Sequence, residues 1–409
     1  MFYTRIILVA LLSNFVFCFT SYGDNIQIEH FIYHSQDSIP IEATLYLPNE
    51  KAKSIIIQLY TTHLNYRHPD FKSLSDSIRF QAILPLISNG YGVALISPRY
   101  KQTKENLPKL KNQTYKTLAD DGEALIKFLK KDVRFTNIPI GICGFSATGI
   151  SAAKLAYRKE TADFAILVST PSTTGEEDLY YKRDTNMKES AKDFYLLFFR
   201  EFHRFFSGDY FIYNDSIHKN INQANFDKIF IECVWDCMKN INKNVLQNNE
   251  DIDTIHALAQ KALKSAFKTN TIKTKIFTPL VHPKDSVNID QFIDLLIDVA
   301  LYAPMDIDYL KWNPEYYYSK IDCPTLMLFA EKDINIDIKG SIENSKKIVN
   351  THKKTNFSIV VIPNVDHSFN EPEKKVFFEE KENGRTHSLN KQSDIFFQSM
   401  LKWLEDIQL

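Results

Sequence analysis

The sequence predicts an α/β fold: a mostly parallel central sheet with helices on both faces and a helical cap inserted into it. Three observations carry this. Short β-branched apolar runs alternate with stretches of helical spacing, as in βαβ units. Those runs are apolar throughout rather than at every second residue, as strands covered on both faces are. Between about Thr170 and Asp322 the alternation stops and helical, aromatic-rich segments take over, so the sheet is completed only after an insertion.

Taken in order, Ile26–Tyr33 and Ile39–Leu47 read as strands joined by the polar turn Ser35-Gln36-Asp37-Ser38, a hairpin signature. Ser54–Tyr60 is a buried strand. Ile78–Ser88 has helical spacing and stops at Asn89-Gly90, ahead of a second buried strand, Gly92–Ile96, closed by Pro98. Leu118–Lys131 is amphipathic at helical period, Ile138–Cys143 is a third buried strand, Ala147–Arg158 is helical and Phe164–Ser169 is a strand. Phe194–Phe199, Phe202–Phe206, Phe226–Asn240 and Ile252–Phe267 supply the helical pattern of the insertion. Thr325–Ala330 and Ser358–Ile362 resume the sheet, and Ile395–Leu404 closes the chain as an amphipathic helix. The expected division is a leader at 1–23, a first core part at 24–172, a cap at 173–305 and a second core part at 306–409.

The chain has 409 residues, long enough for one large α/β domain with an insertion. Its 49 basic and 50 acidic residues nearly cancel, and no long run of like charge occurs. That leaves no electrostatic footprint for nucleic acid and no polybasic membrane patch, so a small-molecule partner is expected. Nothing in the sequence speaks to oligomeric state.

Arg5 precedes an apolar run from Ile6 to Phe19, broken only by Ser13 and Asn14. One positive charge before a short apolar stretch is the layout of a secretory signal, too short for a membrane span. Small residues at Ser21 and Gly23 suit cleavage before Asp24, giving an exported protein, periplasmic or extracellular, with no membrane span after cleavage. Cys18 at the end of the run offers lipid attachment as an alternative, against which stands the bulk of Phe17. Cys143, Cys233, Cys237 and Cys323 lie in apolar surroundings and read as core cysteines. The Cys233/Cys237 pair lacks a second ligand pair nearby, so no metal is expected.

A serine becomes a nucleophile when its hydroxyl is held exposed, beside a base, with donors waiting for the oxyanion. Gly144-Phe145-Ser146-Ala147-Thr148-Gly149 supplies that context, because a buried strand runs directly into a tight turn and then a small-residue helix. Ser146 is the expected nucleophile, and the N–H of Ala147 at the helix start is the expected first oxyanion donor. Asp333 follows the strand Thr325–Ala330 by two residues, and His367 follows Ser358–Ile362 through Pro363-Asn364-Val365-Asp366. Both fall past carboxyl ends of strands, where sites in open α/β sheets lie. His367 is therefore the expected base and Asp333 its orienting acid, with Glu331 and Asp366 as nearby rivals. The turn after Ser54–Tyr60 is the expected source of the second oxyanion donor, from the N–H of Thr61 or Thr62. No cofactor is implied.

With these residues in place the chain resembles the α/β-hydrolase superfamily, in particular bacterial serine esterases of the prolyl-oligopeptidase-like and dienelactone-hydrolase-like group. The resemblance is carried by Gly90-Tyr-Gly-Val-Ala-Leu-Ile-Ser-Pro-Arg99, by Ala119-Asp120-Asp121-Gly-Glu-Ala-Leu125, by the elbow, and by Ile321-Asp-Cys-Pro-Thr-Leu-Met-Leu-Phe-Ala-Glu-Lys-Asp333 ahead of Asp366-His367-Ser-Phe369. It implies an α/β-hydrolase fold and cleavage of carboxylic esters through an acyl-serine. Departures from the group are Phe145 where histidine is common, Thr148 where glycine is usual, Ser97-Pro98-Arg99-Tyr100 in place of Asp-Arg-Gly, and a Tyr60–His63 turn without Gly-Ser-Gly-Pro. The same triad also serves peptidases and acyltransferases. A binding protein that kept the fold without turnover is the reading from another class.

Overall fold

The computed structural model describes residues 18–21, 26–59, 83–100, 113–175, 177–178, 311–379 and 386–407, with isolated positions such as Tyr309. The expected cap at 173–305 and the Cys233/Cys237 pair lie almost wholly outside these residues, as do Thr61 and Thr62.

Nine strands form one sheet: β1 (Cys18–Ser21), β2 (Ile26–His34), β3 (Pro40–Pro48), β4 (Ile55–Leu59), β5 (Gly92–Ile96), β6 (Ile140–Phe145), β7 (Ala165–Val168), β8 (Thr325–Ala330) and β9 (Phe357–Ile362). Their spatial order is β1-β2-β3-β5-β4-β6-β7-β8-β9. β2 pairs with both β1 and β3, and β3 with β5, all antiparallel. Every pairing from β5 across to β9 is parallel. β1 falls inside the segment expected to be a cleaved leader, and cleavage before Asp24 would leave β2 as the edge.

The parallel strands are apolar at successive positions because both faces are covered. Ile55, Ile57 and Leu59 of β4 pack with α1 (Tyr115–Leu129) and α2 (Ala147–Ala156), whereas Ile56 points to the opposite layer with Ile83, Leu86 and Ile87. β8 divides in the same way. Met327 and Phe329 join the first layer, and Leu326, Leu328 and Ala330 join Phe396, Met400 and Trp403 of the closing helix in the second. This period-two division is the reason a continuous apolar run is a strand here and not a helix.

The short helix α3 (Pro314–Tyr318) and the longer α4 (Ile338–Thr351) also pack in the first layer, and α5 (Asp394–Asp406) follows a two-stranded ribbon. α4 starts at Asp337, whose side chain accepts the N–H of Gly340 at 2.9 Å. It is the crossover that parallel strands β8 and β9 require. After β9 the chain also forms a separate two-stranded ribbon, β10 (Asn370–Glu379) with β11 (Thr386–Gln392), which the sequence reading passed over.

β4 lies between β5 and β6, so the chain leaves it for one side of the sheet and returns on the other. The crevice at the carboxyl ends of β4 and β6 is where such a reversal opens space for a ligand.

Arg99 ties three elements together. Its guanidinium donates to both oxygens of Asp121 on α1, at 2.7 and 2.6 Å, and to Asp37 in the β2–β3 turn at 2.6 Å. The Arg99 and Asp121 side chains are 4% and 3% exposed, whereas Asp37 is 52% exposed. Burial pushes the Asp121 carboxyl up to about 6 despite the opposing pull of Arg99. With the folded value above that of an unfolded aspartate, this group's contribution to stability falls as pH rises from about 4 to 6 and is level above that. An unpaired aspartate can take up a proton, but arginine cannot shed one. Asp121→Ala should therefore cost about 3 kcal/mol or more near pH 7, and Arg99→Met distinctly less, measured as denaturation midpoints of the two variants. Equal midpoints would contradict the pairing.

Candidate active site

Ser146 directly follows β6 and is the N-cap of α2. Its backbone has φ 53° and ψ −126°, a strained conformation for a residue with a side chain. Two bonds hold it there: its N–H donates to Val168 O of β7 at 2.7 Å, and its carbonyl accepts the N–H of Gly149 at 3.0 Å. Serine is among the best N-cap residues because its oxygen accepts a free helix N–H. Here the side chain makes no capping bond, so the hydroxyl is not spent on the helix.

Glycine is obligatory two residues earlier. A Cβ on Gly144 would stand 2.4 Å from Thr148 O and 2.6 Å from the Gly149 Cα, both backbone atoms that cannot move aside. Gly149 is in turn pressed against Thr170, whose hydroxyl oxygen would lie 1.7 Å from an added Cβ. The small residues of the motif are thus what lets α2 start directly on top of β6.

Asp333 follows β8, with its side chain fully buried. One carboxylate oxygen, Oδ1, accepts the backbone N–H of Asn335 at 2.8 Å and lies 3.4 Å from that of Ile336. The other, Oδ2, is 2.6 Å from Nδ1 of His367. A carboxylate only accepts, so the imidazole proton sits on Nδ1 and the lone pair is on Nε2, the tautomer a general base needs.

The loops bearing these two residues are knitted to each other. Glu331 N–H donates to Ile362 O at 3.0 Å and Lys332 N–H to Val365 O at 3.0 Å. The two rival acids have structural duties. Glu331 accepts the N–H of Asn364 at 2.8 Å, and Asn364 has a left-handed φ of 57°. Asp366 accepts the N–H groups of Ser368 and Asn370, each at 2.9 Å, and so shapes the turn that presents His367.

Phe145 brings the elbow and the imidazole together. Its ring centroid lies 5.0 Å from that of His367, tilted by 51°, although the side chain is 38% exposed. Among the described residues no direct hydrogen bond links Ser146 Oγ to His367 Nε2. Contacts of this type commonly tighten when substrate is bound. Thus Asp333 and His367 are paired beyond the carboxyl ends of β8 and β9, and Ser146 lies just past that of β6, next to the Phe145 ring that faces the imidazole. Ala147 opens α2, where the first helical N–H groups have no partner within the helix. Thr61 and Thr62 lie outside the described residues, but Leu59, the last residue of β4, pairs with Gly144 beside the elbow. Among the described residues no group of His, Cys, Asp and Glu is arranged to hold a metal ion, and no helix is long and apolar enough to cross a membrane.

No protein-family model matches the chain, and neither does any curated protein sequence. Among solved structures it is similar to an esterase from Pyrococcus furiosus, at 11% identity, covering 85% of this chain and 83% of that one, with a TM-score of 0.42. An acetyl xylan esterase from Paenibacillus sp. R4 has 11% identity, 95% and 87% coverage and a TM-score of 0.44. A lipase in its open form has 11% identity, 92% and 98% coverage and a TM-score of 0.44. What identifies the fold is the chain's own strand order and crossovers, with the elbow after β6: it is an α/β-hydrolase fold.

Proposed function

We propose that this protein is an exported serine hydrolase that cleaves carboxylic esters through an acyl-serine intermediate. The observation that carries the reading is the buried Asp333 carboxylate 2.6 Å from His367 Nδ1, beside a serine held at φ 53° with its hydroxyl free of helix capping. Ser146 attacks the ester carbonyl, and His367 Nε2 takes its proton and returns it to the departing alcohol. Asp333 keeps the imidazole in the required tautomer and stabilises its cationic form. The Ala147 N–H and one N–H from the turn after β4, that of Thr61 or Thr62, receive the developing oxyanion. Water then repeats the sequence on the acyl-serine. The apolar run from Ile6 to Phe19 behind Arg5 supports export.

Esters are favoured over peptides because no charged anchor for a substrate terminus stands out in the sequence. The test compares p-nitrophenyl esters of rising acyl length with the matching p-nitroanilides. The expected result is ester turnover well above amide turnover. Amide turnover equal to ester turnover would overturn the ester assignment.

A further inference from the structure

We propose that Thr148 is a positioning residue that holds the nucleophile elbow in place against the end of β4; this rests on the reading of Ser146 as the nucleophile. Thr148 is 1% exposed. Its hydroxyl oxygen accepts the N–H of Phe145 at 2.9 Å and lies 3.0 Å from Leu59 O and 2.8 Å from Phe145 O. A hydroxyl has one proton and two lone pairs. The Phe145 N–H therefore fills one acceptor position, and the single proton is shared between the carbonyls of Leu59 and Phe145.

These contacts fall on the last rung between β4 and β6, where Leu59 pairs with Gly144. Just beyond that rung β6 turns into the elbow at Ser146, and β4 ends at Leu59. At this end of the ladder the Thr148 side chain ties the two strands together. It bonds one residue before the nucleophile on one strand and the final carbonyl on the other. The glycine found here in the resembled group has no side chain to do this. Phe145, whose N–H and carbonyl both meet the Thr148 hydroxyl, precedes Ser146 and sets its ring 5.0 Å from that of His367, so the tie governs how the serine is presented to the imidazole. A misplacement of about 1 Å at such a site costs on the order of a hundredfold in rate.

The experiment compares wild type with Thr148→Val, which keeps the shape and loses the hydroxyl, and Thr148→Ser, which keeps the hydroxyl. Turnover of a p-nitrophenyl ester is measured for each, with rates normalised to sites titrated by a fluorophosphonate so that unfolded protein does not count. Thr148→Val is expected to lower kcat by about tenfold to a hundredfold with KM within about threefold, and Thr148→Ser to keep kcat within about threefold of wild type. Wild-type kcat in Thr148→Val, or equal loss in both variants, overturns the proposal. If Thr148→Val does not fold, Thr148→Ala against Thr148→Ser makes the same comparison, with equal kcat the overturning result. Wild-type protein that is folded but takes no fluorophosphonate would instead remove the nucleophile reading, and the positioning role with it.

Discussion

Replacing Ser146 by alanine should lower kcat/KM for ester substrates by on the order of 10⁵-fold, about 7 kcal/mol of transition-state stabilisation, while leaving the fold intact. The effect is large because, in the proposed reaction, the hydroxyl itself forms the covalent bond. The fold should survive because Ser146 is fixed through its backbone, by its bonds to Val168 and Gly149, and its side chain caps nothing. Alanine is no better suited than serine to a φ of 53°, so no relief or added strain should confuse the comparison. An unchanged melting curve with activity lost is the expected pair of results. Residual ester cleavage near the wild-type rate would move the nucleophile elsewhere.

Asp333→Asn should lower kcat by about 10⁴-fold, through the tautomer of His367 and not through loss of shape. The carboxylate is asymmetric: Oδ1 is held by the N–H groups of Asn335 and Ile336, and Oδ2 faces His367. An asparagine there must put its carbonyl where the backbone N–H groups donate, which leaves its NH₂ facing Nδ1. The imidazole then carries its proton on Nε2 and has no lone pair for Ser146. Glu331→Gln is the control, since that side chain supports the neighbouring turn through Asn364 and does not touch the imidazole. It should keep activity within a few-fold of wild type. A similar loss in both variants would mean that Asp333 acts through the loop and not through the proton.

Much of the fold was legible because its signals are local. The buried strands announce themselves by unbroken apolar runs, and β8 spans the residues the sequence predicts, Thr325–Ala330. The elbow was legible because Gly144, Ser146 and Gly149 are each demanded by sterics or chemistry at a fixed spacing. Asp333 and His367 could be chosen because topology places both beyond strand ends. The β10/β11 ribbon was missed although Asn383-Gly384 between its strands is a hairpin signal, since its charged residues hide the strand pattern. α4 was missed because its apolar stripe is only Ile338, Ile342 and Ile348. The roles of Thr148 and Arg99 were not legible at all. Thr148 stands out in the sequence as a departure from a pattern and Arg99 does not, and only the meeting of distant segments, Leu59 with Thr148 and Asp37 with Asp121, turns them into links.

An activated nucleophile at Ser146 is tested most directly by the stoichiometry and site of fluorophosphonate modification, read by mass spectrometry on folded wild type and Ser146→Ala. One phosphonyl group per chain on the peptide containing Ser146, absent from the variant, is the predicted result. Folded wild type that remains unmodified, or a variant still modified to the same extent, would contradict it.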